Sequence, residues 1–155
     1  ELIDICHFYF STYLIRDNLD ISSAQKTLDY DLNNDNSKIM LDNKIYELLH
    51  MTILEKLDLL IGLSAVKRTE PIVLMSLCLD CELSPSEIFK QYVQKNTLNL
   101  FRQANGYNLG TYKKVWNDKE DNETLVELAA QLNSTDPLYS KKLWTLLDES
   151  YKKYN

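Results

Sequence analysis

Apolar residues in this 155-residue chain recur at the three-to-four-residue spacing of helices. No segment sustains the two-residue alternation of a half-buried strand. With only 3 Gly and 3 Pro, the chain also has little punctuation for many short strands and turns. The pattern therefore predicts an all-α helical bundle without a sheet, built as a single domain over residues 1–155. "ELIDICHFYFSTYLI" is apolar nearly all round and reads as a buried helix. In "NKIYELLHMTILEKLDLLIGLSAV", Ile45, Leu48, Leu49, Ile53, Leu57, Leu60 and Ile61 fall at helical spacing, as a core or helix–helix stripe does. "EPIVLMSLCLDC" reads as a further apolar helix, introduced by Pro71. The intervening "RDNLDISSAQKTLDYDLNNDNSK" is polar, and its cluster of Asn33, Asn34 and Asn36 marks a loop, mobile over about residues 29–37.

The next boundary is sharper. In "SPSE", Ser84 stands at a cap, Pro85 in the first turn and Glu87 three residues past the cap. That helix is expected to run to about Ala104, with Gly106 as a left-handed stop. "ETLVELAAQL" predicts another helix. The last begins after "STDP", where Thr135 or Asp136 caps and Pro137 opens it.

Charge and cysteine usage narrow the function. A net charge of −6 argues against a protein that tracks the phosphates of a nucleic-acid polymer, which needs a basic face. The longest apolar run, "PIVLMSLCL", is too short to span a bilayer. Three cysteines without a secretory signal fit reduced thiols in the cytoplasm. The "CLDC" pair, Cys78 and Cys81, lacks the further ligands of a zinc site and reads as buried free thiols, and His50 reads as a core or interface histidine. The sequence starts at Glu1, inside an apolar pattern, and so reads as a fragment missing upstream helices.

Two constellations carry candidate chemistry. Glu1 and Asp4, three residues apart, share one face of the first helix, with His7 and Ser11 continuing the stripe. Carboxylates on so apolar a helix need compensation, which Mg²⁺ shared with substrate phosphates would supply. A solvated edge, or pairing with lysines, is the alternative. Lys95, Asn99 and Arg102 fall within one narrow arc at about 100° per residue. They set an ammonium, an amide and a guanidinium in a row, suited to phosphate oxygens. Beyond them, "NGYNLGTYKKVWNDKEDN" holds two of the three glycines with Tyr107, Tyr112, Lys113 and Lys114. An ordinary surface loop is the alternative here, but connectors are usually much shorter.

With these residues in place, the chain resembles the dimeric all-α dUTP pyrophosphatases, relatives of the MazG-type nucleotide pyrophosphatases. The resemblance rests on "KNTLNLFRQANGYNLGTYKKVWNDKEDN" and, more briefly, on "ELIDICHF" and the final "YKKY". It implies Mg²⁺-dependent hydrolysis of dUTP and dUDP to dUMP by a cytoplasmic homodimer, with no membrane or nucleic-acid partner. It further implies that Glu1 and Asp4 are metal ligands, and that Lys95, Asn99, Arg102, Tyr107, Lys114 and Asn122 contact phosphate. His7 and Phe8 would line the nucleoside pocket. No catalytic group beyond the metal ligands is assigned within the chain, because the family's first acidic pair and its uracil-reading residues lie upstream of Glu1. Cys6 stands where relatives often carry Trp, and Asn108 where Lys is common. The competing readings are a related pyrophosphatase for another nucleoside triphosphate and a non-catalytic helical interaction module.

Overall fold

The structure, a computed structural model, describes residues 1–33 and 37–154. It contains seven α-helices among those residues and falls into two compact units, Glu1–Pro85 and Ser86–Asn155. The helical class expected from the sequence is thus what the chain adopts.

In the first unit, helix α1 (Leu2–Arg16) buries one stripe, Ile3, Cys6, Tyr9 and Tyr13. It is not buried all round as expected, since Phe8 is 72% and Ile15 71% exposed. Helix α2 (Ile21–Asn33) occupies most of the polar stretch read as a loop. Asn34 and Asn36 lie outside the described residues. The helix escapes a periodicity search because its only buried residue is Ala24. Polar contacts hold it instead. Asp20 caps it through the Ser23 N–H (2.9 Å). The Ser23 hydroxyl donates to Asp17 Oδ1 (2.7 Å), and the Tyr13 hydroxyl to Asp31 Oδ2 (2.6 Å).

The helix expected from Ile45 onward begins later. Strands β1 (Lys38–Leu41) and β2 (Lys44–Glu47) pair antiparallel, with Ile39 opposite Tyr46, and correct the expectation of no sheet. Their two-residue connection, Asp42 and Asn43, has φ of 51° and 61°, the double left-handed geometry of tight hairpins that Asp and Asn tolerate. Strands of four residues are too short to show alternation. A single 3₁₀ turn, Leu48–His50, follows and leaves the His50 side chain 78% exposed rather than in a core.

Helix α3 (Ile53–Ala65) then starts at Thr52 through a capping box: Glu55 N–H donates to Thr52 Oγ1 at 3.3 Å and Thr52 N–H to Glu55 Oε2 at 2.7 Å. The stripe read from residue 45 to 61 therefore divides. Leu60 is buried with Leu59 and Leu63, whereas Leu49, Leu54 and Ile61 face outward. Helix α4 (Pro71–Asp80) completes the unit, opened by Pro71 as expected. Its Val73, Leu74, Leu77 and Cys78 are buried, but Cys81, just past its end, is exposed, which corrects the reading of both thiols as buried. The Lys56 side chain, 4% exposed, meets Asp80 at 2.5 Å, so this buried cation is paired.

The second unit holds most of helix α5 (Pro85–Ala104), then α6 (Asp121–Ala129) and α7 (Tyr139–Tyr154). Between α5 and α6 lies a second small hairpin, β3 (Val115–Trp116) with β4 (Lys119–Glu120), turning at Asn117 and Asp118 with φ of 50° and 61°. Its core gathers Leu98 and Phe101 from α5, Trp116 from β3, Leu125 and Ala129 from α6, and Tyr139, Leu143 and Leu147 from α7. Phe101 is the hub. It is fully buried and meets Tyr112, Trp116, Trp144 and Tyr151 edge-on, at centroid distances of 5.3 to 6.5 Å.

Phe101→Ala removes one ring from four edge contacts and leaves a cavity that rigid neighbours cannot fill. We expect a loss of about 3–5 kcal/mol in unfolding free energy, measured by denaturant titration.

Candidate functional site

Helix α5 continues to Ala104 because nothing in "QKNTLNLFRQA" breaks it, and it stops where Gly106 takes φ of 88°. A Cβ at Gly106 would stand 2.1 Å from Thr111 Oγ1, so only glycine fits the close turn there. Tyr107–Leu109 form one 3₁₀ turn, ended by Gly110, also left-handed with φ of 69°. The chain is then returned to α5 by its aromatic residues. Tyr112 stacks on Tyr151 at 5.3 Å, and buried Trp116 donates its Nε1–H to Lys113 O at 2.7 Å.

The polar centre of this unit is Asp121, at the start of α6 and 0% exposed. The Arg102 Nε–H donates to Asp121 Oδ2 at 2.8 Å and its Nη2–H to Oδ1 at 2.7 Å. The Tyr112 hydroxyl donates to Oδ2 at 2.8 Å. The Asp121 N–H donates to Lys114 O at 2.8 Å. On its other side, Arg102 Nη1 lies 3.4 Å from Asn99 Oδ1. Burial pushes the Asp121 carboxyl up, but the hydrogen bonds from Arg102 and Tyr112, with the charges of Arg102 and Lys114, prevail and hold it below its usual range. The same bond raises the Arg102 guanidinium, and burial, followed by the bond to Asp121, raises the Tyr112 phenol.

Of the residues expected to contact phosphate, Arg102 binds this carboxylate directly, Asn99 Oδ1 lies 3.4 Å from Arg102 Nη1, Lys114 O accepts from the Asp121 N–H, and Asn122 follows Asp121 in the first turn of α6. Tyr107 joins through Tyr112, with ring centroids 6.0 Å apart. Lys95 lies one helical turn before Asn99 on the same face of α5. Asp121 and the role of Tyr112 were missed from sequence. Asp121 shows there only as an acid opening a helix, and nothing local reveals its full burial or a partner 19 residues away.

The other candidates lie on α1, in the first unit. Glu1 is the exposed N-cap residue, and Asp4 stands half-buried in the first turn, where the helix dipole favours a carboxylate. The buried stripe of α1 occupies the opposite side. Phe8 is exposed and His7 half-buried. No described cluster brings three or more His, Cys, Asp or Glu together as a ready cage. Two carboxylates on one helix suit the mode in which Mg²⁺ takes one or two carboxylates and fills its remaining positions with substrate phosphates and water.

A family model described as dUTPase matches residues 1–107, more than half of the chain. The chain belongs to the dUTPase family. Its activity is that of a dUTP diphosphatase, a nucleotide pyrophosphohydrolase. A comparison with curated proteins finds none that matches it. The matched region holds Glu1, Asp4, Lys95, Asn99 and Arg102 and ends at Tyr107, whereas Lys114, Asp121 and Asn122 lie beyond it. No described helix is long and apolar enough to cross a membrane.

Because the dUTPase holds Asp121 ionised below its usual range, the pair stabilises the fold fully above the unfolded aspartate value of about 3.9. That contribution is lost as pH falls through the lower folded value. Asp121→Asn leaves Arg102 buried without its counter-charge and is expected to cost about 3 kcal/mol near neutrality. The difference from wild type should shrink on acidification below about pH 4. Denaturant unfolding at a series of pH values measures both.

Proposed function

We propose that this dUTPase hydrolyses dUTP, and also dUDP, to dUMP with Mg²⁺ held by Glu1 and Asp4. The observation that supports the phosphate side of this reading is the α5 arc, in which Lys95, Asn99 and Arg102 present their polar groups along one line. Between Lys95 and Lys114 the sequence contains four cations and no carboxylate, so a polyanion meets no repulsion from that segment. Bound Mg²⁺ would neutralise phosphate charge and favour attack by water at phosphorus.

The residues of this chain then have separate tasks. Asp4, in the first turn of α1, supplies a carboxylate directed by a rigid helix, and Glu1 a second one on the same face. Lys95 and Asn99 hold phosphate oxygens by charge-assisted and neutral hydrogen bonds. Arg102 stabilises charge that develops on the phosphoryl group as the anhydride bond breaks. Lys114 and Asn122 add contacts from the segment beyond Gly110, with Tyr107 bordering it. His7 and Phe8 line the nucleoside side. Cleavage of both dUTP and dUDP to dUMP means that the bond broken lies between the α- and β-phosphates. Water oxygen joins phosphorus, the bridging oxygen departs with the other phosphoryl group, and a proton is released. The exposed apolar residues Leu49, Leu54 and Ile61 support a homodimer, and the chain's cysteine usage supports a cytoplasmic location.

Asp4→Asn keeps the shape of the side chain and removes its charge. Loss of several kcal/mol of metal assistance corresponds to a fall of about 100-fold or more in kcat. The variant should also lose the Mg²⁺-dependent rise in melting temperature expected of wild type with α,β-imido-dUTP. Near-wild-type turnover and an intact Mg²⁺ response would remove the metal role from α1.

Lys95→Ala deletes one charge-assisted contact and is expected to weaken analogue binding about tenfold, by isothermal calorimetry. Unchanged affinity would remove Lys95 from the phosphate grip.

A further inference from the structure

A guanidinium carries five N–H donors arranged as two forks, one formed by Nε and Nη2 and one by Nη1 and Nη2. In Arg102 the first fork is fully engaged by Asp121, at 2.8 and 2.7 Å. What remains is the second fork, on the side where Nη1 approaches Asn99 Oδ1 at 3.4 Å. That edge has the geometry for bidentate binding of a phosphate. We propose that Asp121 and Tyr112 are positioning residues of the phosphate grip, which hold Arg102 by its Nε/Nη2 edge so that its Nη1/Nη2 edge faces a phosphoryl group beside Asn99. This rests on the reading of Arg102 as a phosphate ligand.

The carboxylate is itself immobile. It is fully buried, takes a third hydrogen bond from Tyr112 at 2.8 Å, and is fixed along the backbone by the Asp121 N–H to Lys114 O. Tyr112 in turn is clamped by its stack on Tyr151. A free arginine loses substantial rotamer entropy when it grips a ligand. Here that loss is incurred on folding, so the ligand meets a preorganised fork.

A purely structural ion pair would have the same distances, so the test must read coupling rather than stability. Binding of α,β-imido-dUTP with Mg²⁺ is measured by calorimetry for wild type, Asp121→Asn, Arg102→Lys and the double variant, each at a temperature where melting curves show it folded. Lysine cannot offer two forks at once. We expect each single variant to bind about tenfold more weakly and the double variant to bind no worse than Arg102→Lys alone. Tyr112→Phe deletes only one hydroxyl, keeps the aromatic cluster, and should weaken binding about threefold in the Arg102 background and not at all in the Arg102→Lys background. The Tyr112→Phe pair decides the matter if Asp121→Asn does not fold.

If Arg102→Lys binds as wild type does, Arg102 is no phosphate ligand, and this inference falls with that reading. If Arg102→Lys weakens binding but Asp121→Asn or Tyr112→Phe leaves it unchanged, the inference alone is overturned. Equal weakening in both Arg102 backgrounds also overturns it, since the effect would not then pass through Arg102.

Discussion

A carboxylate that reaches zero exposure must be compensated by its neighbours, and Asp121 recruits three donors for its two oxygens. Much of the second unit follows from that requirement. Arg102 has to lie on the face of α5 that looks toward the start of α6. The chain between them has to double back so that Tyr112 can donate from the other side. Gly106 and Gly110 make the reversal possible, each in a left-handed conformation, and the short β3–β4 hairpin brings residue 121 back into register. The aromatic cluster around Phe101 encloses this polar centre and lowers its dielectric, which strengthens the bonds that are made and raises the cost of losing any one of them.

The same architecture limits what can move. Residues 106–122 carry the chain from the end of α5 to the first turn of α6. Tyr112, Trp116 and Asp121 are anchored in the core, so displacing the segment as a whole would expose a buried indole and break an ion pair. The stretch from Gly106 to Gly110 has no buried residue and is held by turn hydrogen bonds, the Thr111 hydroxyl to Gly106 O and the ring contact of Tyr107 with Tyr112. Rearranging the turn that carries Tyr107 would thus cost less than displacing Tyr112, Trp116 or Asp121.

How much of this could be read from sequence depends on whether a feature is local. Pro71, Pro85 and Gly106 mark helix ends through constraints that act within one or two residues, and the structure places helix ends there. The arc of Lys95, Asn99 and Arg102 was legible because helical periodicity fixes their common direction. Helix α2 was not, since it is held by Asp17, Asp20 and Asp31 rather than by an apolar stripe. The two hairpins were missed because their strands are two and four residues long, although Asp42–Asn43 and Asn117–Asp118 are the residue types their turns require. Asp121 was illegible for a different reason. Its state is set by contacts 9 and 19 residues away, and a sequence shows only that an acid opens a helix.

The net charge of −6 raises the question of how such a chain attracts a polyanionic nucleotide. The answer lies in distribution. Acids elsewhere in the chain are often paired off: Asp80 with Lys56, Asp31 with Arg16 and Tyr13, and Glu127 with Lys119. The run from Lys95 to Lys114 carries no acid at all. The Asp121 carboxylate is bonded into that region, and its charge is spent on the inner edge of Arg102, within a buried pair. On the reading of Arg102 as a phosphate ligand, the outer edge of the guanidinium takes the phosphoryl group, with Asn99 Oδ1 3.4 Å from Nη1 and Lys114 O accepting from the Asp121 N–H. A local field of this kind selects a compact, highly charged group such as a di- or triphosphate.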